Sequence, residues 1–358
     1  MFSVASNFDN ELPAQLQGME VDELFGSCDD APVGHGRPRA MVPPVTWRTL
    51  ARHIYRCREA GLGFNLLLNP LCLSGCEENT RLERHLRTAL HRAENMGATA
   101  VTVAHPWLVT LARATTLRIR VGVFVGISTV EQARYWQDLG GHVLALDTHV
   151  LSRDLLQIRR IAKAVRAQVE VPVNIGCLLR CPLARTHVAR LSHSSRPGVQ
   201  PMDPCARWCL DEKRRDPVNL IRADFIRPED LDRYREAGVT SFKIVDRACS
   251  TEVLVERVRA YHMRRWDGDV LRLLGPRGTP PRRRRLPVFD SLRHLGLVGA
   301  VRLLRQARAF MRLDLPWSVD NRALDDLILP NGCEATHCDE CGHCADVATR
   351  AVHRTSVQ

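Results

Sequence analysis

Eight short apolar runs, separated by stretches of helical periodicity, recur between residues 2 and 246 and constrain the fold of this chain more than any other feature. They read FSVAS, EVDELFG, GFNLLLN, ATAVTVAH, RIRVGVFVG, HVLALD, VEVPVN and SFKIVD. Each is nearly continuous in apolar residues, which suits a strand covered on both faces. The stretches between them carry one apolar face, as in Thr46 to Ala60 with Leu50, Ile54 and Cys57, and Arg81 to Met96 with Leu82, Leu86, Leu90 and Ala93. Alternation of strand and helix predicts a parallel sheet, and eight repeats favour closure into a (β/α)8 TIM-type barrel over residues 1–267. An open doubly wound sheet is the rival, but no Gly-rich dinucleotide fingerprint follows the first run.

One connection is too long for a simple crossover. Between VEVPVN and SFKIVD lies an insert, residues 177–217, followed by VNLIRADFI and a helix opened by RPEDL, with Pro228 in its first turn. NLIR is expected to be an extra strand outside the barrel. The insert leaves from the carboxyl end of the seventh strand, the end at which such barrels build their sites. The same rule selects the polar residues just past the other runs: Asn7, Arg37 in the loop GHGRPR, Asn69, His105, Ser128, Asp147, Asn174, and Lys243 with Arg247.

Thirteen cysteines make sulfur the most informative element in the chain. Cys177-x3-Cys181-x23-Cys205-x3-Cys209 supplies four thiolates, enough for a cubane cluster or a tetrahedral zinc, and the three-residue gaps lean away from the two-residue knuckles of structural zinc. A second set, Cys333-x4-Cys338-x2-Cys341-x2-Cys344, closes the chain with His337 and His343 as spare ligands, and suits a second iron-sulfur cluster or zinc. Cys72 and Cys76 form a weaker pair read as a loop, and Cys57 falls on a core helix face. Residues 268–320 read as a basic linker with PPRRRRLP and an amphipathic helix near Ser291 to Arg312, and residues 321–358 as the cysteine-rich metal-binding tail.

The net charge of +11 could attract a polyanion such as RNA, yet most arginines alternate with acids on helix faces and read as solvated surface. No apolar run is long enough for a membrane span, and MFSVASNFDNELP lacks the basic start of a secretory signal, so a cytoplasmic protein is expected. In that reducing compartment, clustered cysteines point to metal rather than disulfides.

The segments VNIGCLLRCPLARTHVARLSHSS, DPCARWCLDEKRRDPVNLIRADFIRPEDLDRYREAGVTSFKIVDR and VRAYHMRRWDGDVLRLL resemble the collagenase-like peptidase family U-32, in a branch with a cysteine-rich tail. SNFD, GRPR, LLNPLC and VDNRALDDL extend the likeness over most of the chain. The resemblance implies a barrel that binds a 4Fe-4S cluster through Cys177, Cys181, Cys205 and Cys209. It also implies either proteolysis or oxygen-independent hydroxylation of a small molecule or of RNA with prephenate as oxygen donor, and a possible paralogous partner subunit. The loop reads GCLLRCPLARTH where the peptidase signature has a Gly-rich SGxC element, which favours hydroxylation or a related oxygen transfer.

Within that reading, Arg37, Asn69, Arg222, Arg227 and Arg247 are expected to bind substrate, since guanidinium suits bidentate contact with carboxylate or phosphate. His187, His193, Lys243 and Asn174 are the candidate catalytic groups. The alternatives are a peptidase and a non-enzymatic nucleic-acid-binding metalloprotein. HExxH and GxSxG are absent, leaving a cysteine nucleophile for the peptidase, and the tail lacks aromatic residues on which bases could stack.

Overall fold

The structure is a computed structural model that describes residues 1–38, 42–77, 79–195, 204–275, 298, 301, 315–329, 332–333 and 338–355. The basic run 280–287 and most of the segment 291–312 lie outside these residues.

The strands, in chain order, are β1 (Phe2–Ala5), β2 (Val21–Gly26), β3 (Gly63–Leu68), β4 (Ala100–Val103), β5 (Arg118–Val121), β6 (Val143–Ala145), β7 (Gln168–Pro172), β8 (Asn174–Leu178), β9 (Ala223–Phe225), β10 (Ser241–Ile244), β11 (Trp317–Val319) and β12 (Val352–Arg354). Strands β1 to β7 and β10 close a parallel barrel, with β10 inserted between β7 and β1. All eight apolar runs supply one barrel strand each, so the (β/α)8 expectation holds. Helices cover the outside through their apolar faces. Trp47–Glu59 is capped by Thr46, whose side chain accepts from the Thr49 amide, and buries Leu50, Ile54 and Cys57. Asn79 caps Thr80–Asn95 in the same way.

The inward positions of the barrel are not apolar. Glu23 accepts from Ser3 at 2.6 Å and from Asn65 at 2.9 Å, and Thr102 donates to Asn65 at 3.0 Å. Arg120 pairs with Glu170 and lies 3.4 Å from Glu23, while Ser241 donates to Glu170 at 3.0 Å. Buried charges are costly unless paired and hydrogen-bonded; Arg120, Glu23 and Glu170 are paired here, with Arg120 Nε lacking a hydrogen bond among the described residues.

The insert departs from the expected layout at one place. NLIR is not a strand: Val218–Ile221 is a helical turn, and the strand is β9, displaced toward Phe225 and paired antiparallel with β8. Asp216 accepts from the Val218 amide at 3.0 Å and Pro217 presets its own φ, which starts a turn where the apolar pair alone suggested extension. Leu220, Ile221 and Phe225 then join Val270, Leu271, Val319, Leu324, Val347 and Ala351 in a second core beside the barrel. Strands β11 and β12 pair across the boundary drawn at residue 320, so the last segment is built into that core. Among the described residues no helix is long and apolar enough to cross a membrane.

Candidate active site at the barrel mouth

The β8–β9 hairpin stands at the carboxyl end of β7 and is fixed by Asn174. Its side-chain oxygen accepts from the Val245 amide at 2.8 Å, and its nitrogen donates to the carbonyls of Leu273, at 2.9 Å, and Val245. Asn174 is thus wholly engaged with backbone, and the structure gives it a positioning role.

Cys177 follows on β8, and Asp224 faces it from β9. One Asp224 oxygen accepts from the Cys177 amide and the other from the Thr148 hydroxyl at 3.1 Å. Asp147, past the end of β6, caps the turn Thr148–Leu151 and accepts from His149 Nδ1 at 3.2 Å. Ligand atoms of His149, Cys177 and Asp224 all lie within 4.8 Å of one another. Burial pushes the His149 pKa down, but its hydrogen bonds to Asp147 and Cys177 and the charge of Asp224 outweigh this and raise it to about 11. Burial raises Asp224 to about 6 against the pull of His149.

The other insert cysteines approach the same hairpin. Cys209, on the helix Pro204–Arg215, takes a hydrogen bond from the Leu178 amide and lies within electrostatic reach of Cys177 and Cys181. Burial raises its pKa, and those two neighbours raise it further against the charge of Lys213. Cys205 is buried one turn earlier on that helix. Lys213 donates to the Gly176 carbonyl, where φ of +72° turns the chain just before Cys177.

The helix Ala184–Ser194, which carries His187 and His193, lies over the mouth. Its Arg185 reaches Asp147 at 3.0 Å, Ser192 accepts from the Leu71 amide at 2.9 Å, and Ser195, its C-cap, accepts from the His35 amide at 2.8 Å. Under it, Arg247 is only 4% exposed and donates to Ser27 at 2.6 Å, with His35 at 3.4 Å. Among the described residues no carboxylate pairs with it, and burial together with nearby Arg37 lowers its pKa to about 9. Arg37 is held by Asp246 at 3.2 Å. Asn69, also buried, has a side-chain oxygen without a partner among the described residues. Lys243 lies deeper, 4.1 Å over the Phe25 ring and 3.9 Å from Glu170; burial lowers its pKa, with Glu170 opposing.

Of the other expected substrate residues, Arg227 is held in ion pairs and Arg222 stands beside the cysteine loop. Arg227 is committed to Asp230 at 2.7 Å and Asp325 at 2.9 Å, where it ties the chain to its last segment. Arg222 caps the turn Val218–Ile221, and its carbonyl accepts from the Leu179 amide. Conversely, sequence reasoning passed over His149, Asp224 and Lys213. Only His149 had a signal, as the third residue of DTH directly after the sixth apolar run.

The family model for peptidase family U32 matches residues 38–266. The chain belongs to that family. The U32 match takes in the hairpin and all four insert cysteines and stops short of the tail. An uncharacterised protease of Methanocaldococcus jannaschii is 24% identical over 322 residues, 89% of this chain and 86% of that protein. A U32 peptidase of solved structure superposes with a TM-score of 0.52 at 20% identity, covering 68% of this chain and 92% of its own, which supports the fold.

Proposed function

We propose that this U32-family protein is an iron-sulfur enzyme that carries out oxygen-independent hydroxylation, or a related oxygen transfer, on a small molecule or RNA at the barrel mouth. The observation that carries the reading is the approach of Cys209 to Cys177 and Cys181 beside the hairpin, with Cys205 one turn away. Four thiolates, a backbone amide directed at one sulfur and a buried lysine beside the loop form a donor set suited to a 4Fe-4S cluster. Cys177, Cys181, Cys205 and Cys209 would hold it, and it would supply one-electron transfer.

The protein's own groups have distinct tasks in this reading. Arg247, a buried cation with no ion-paired carboxylate among the described residues, holds an oxyanion of the donor or substrate. Asn69 offers its side-chain oxygen, which has no partner among the described residues, to a donor hydrogen on the same ligand. The helix Ala184–Ser194 restricts water, and its His187 and His193 stand as candidate proton carriers. Lys243 adds positive charge below.

A second reading rests on a different observation. Cys177, His149 and Asp147 follow the order of nucleophile, base and orienting carboxylate, which favours a cysteine peptidase, as the relatives' names suggest. Anaerobic purification with iron and sulfide analysis separates the two. The cluster reading expects about four iron and four sulfide per chain that disappear in Cys181→Ser/Cys209→Ser. Peptide hydrolysis by metal-free protein, lost in His149→Ala, would instead establish the peptidase.

A further inference from the structure

The last segment carries a second group of cysteines outside the region matched by the family, and the structure fastens it to one residue. Arg153, after β6, is 3% exposed. Its Nη2 donates to the carbonyls of Ile221 and Ala223, the latter at 3.2 Å, and its Nη1 donates to Cys344 Sγ at 3.4 Å. Its own carbonyl accepts from the Cys333 amide at 3.1 Å. Among the described residues Nε has no partner and no carboxylate pairs with the guanidinium. Guanidinium does not lose its proton in proteins, so a buried one without a counter-anion carries an uncompensated desolvation cost.

Cysteine sulfur stands where a counter-anion would. Cys341 and Cys344 flank Gly342, whose φ of +67° turns the chain into the helix His343–Ala351, and the Gly342 carbonyl accepts from the Ala345 amide at 2.8 Å. Val347 and Ala351 anchor that helix in the second core. The turn places two sulfurs three residues apart at the start of the helix, and Cys333 is held by its backbone to Arg153 and to Arg180, whose Nη2 donates to the Cys333 carbonyl at 3.2 Å. Cys338 begins the preceding turn, Cys338–Cys341, and joins the set by its Cys-x2-Cys spacing in sequence; its side chain lies outside the described residues. His343 donates its Nε2–H to the Asp326 carbonyl at 2.9 Å.

We infer that Cys333, Cys338, Cys341 and Cys344 hold a second metal-thiolate site, one zinc ion or one iron-sulfur cubane, against which Arg153 lies as the balancing cation. Four thiolates exceed the charge of either centre, so the filled site is a net anion and gives Arg153 its counter-charge. Because Arg153 also holds the carbonyls of Ile221 and Ala223, the site braces the β9 side of the hairpin that carries the barrel cysteines. It stands independently of the barrel centre.

The test uses the full-length protein purified anaerobically, with zinc, iron and sulfide measured per chain. Cys341→Ser/Cys344→Ser should lose about one zinc, or about four iron with sulfide, and the metal lost identifies the occupant. That component should persist in Cys181→Ser/Cys209→Ser. Equal metal content in the tail variant and the unsubstituted protein would overturn the site. Should the tail variant fail to fold, cobalt titration of a variant with Cys177, Cys181, Cys205 and Cys209 all replaced by Ser, after metal removal, decides the matter: thiolate-to-cobalt absorption is expected, and its absence refutes the site. Arg153→Met should release the tail metal to a chelator on the order of tenfold faster, with Arg153→Lys in between. An unchanged release rate would remove Arg153 from its positioning role.

Discussion

His53 shows how burial alone can make one side chain a liability in acid. It is enclosed beside the rings of Phe8 and Phe64, its Nε2 meets the Ser6 hydroxyl at 2.7 Å, and Nδ1 has no partner among the described residues. Burial pushes its pKa down to about 4, with only a weak opposing pull from Asp9. The unfolded chain therefore binds a proton that the folded chain refuses between about pH 6.5 and pH 4. Stability from this source is complete above about pH 6.5 and falls away as the pH drops toward 4, by about 3 kcal/mol at most. Urea midpoints followed across that range should decline more steeply in the unsubstituted protein than in His53→Leu. Parallel pH profiles would show that His53 is not the group responsible.

At the scale of elements, the β8–β9 hairpin decides whether the barrel mouth is assembled. Asn174 supplies partners to the Val245 amide and the Leu273 carbonyl, and shares the Val245 carbonyl with Arg257, whose Nη1 donates to it at 3.2 Å. Asn174→Leu leaves the Val245 amide and the Leu273 carbonyl buried and unsatisfied, at about 1–3 kcal/mol for each group that water cannot reach. A loss of about 2–5 kcal/mol in urea unfolding is expected, with Asn174→Asp in between because it keeps only the acceptor for Val245. A change below about 0.5 kcal/mol for Asn174→Leu would mean that the hairpin is held by other contacts.

The same hairpin marks the limit of what the sequence made legible. The barrel strands were readable because each is a continuous apolar run between amphipathic helices. NLIR was misread because a short apolar run fits a buried turn as well as a strand, and only the partner of Ile221 in the second core distinguishes them. The insert cysteines announced themselves by spacing. His149 and Asp224 did not, since their meeting with Cys177 depends on how β6, β8 and β9 converge. Arg227 looked like a substrate ligand for the same reason: nothing in the sequence reveals that Asp325 lies beside it.

For the whole molecule, the question is whether the last segment is an appendage or part of one folded unit. Residues from Leu315 onward cover Leu220, Ile221 and Phe225 through Val319, Leu324, Leu327, Val347 and Ala351, and Arg227 crosses the same seam to reach Asp325. A fully buried aliphatic or aromatic side chain contributes about 1.5–3 kcal/mol by transfer from water. Uncovering those three residues therefore costs on the order of 5–9 kcal/mol, an upper estimate because unfolded chains already bury some apolar surface. That is comparable to the entire stability of an ordinary domain, about 5–15 kcal/mol. Truncation after residue 314 should thus do more than remove the tail cysteines. The shortened protein is expected to bind a hydrophobic dye, to unfold at a much lower urea concentration and, where the two proposed centres are filled, to lose barrel iron along with tail metal, because β9 loses the packing that positions Asp224. Cys341→Ser/Cys344→Ser, which leaves the apolar residues in place, should lower the midpoint far less. A truncated protein with the full-length midpoint and intact barrel iron would establish instead that the barrel stands alone.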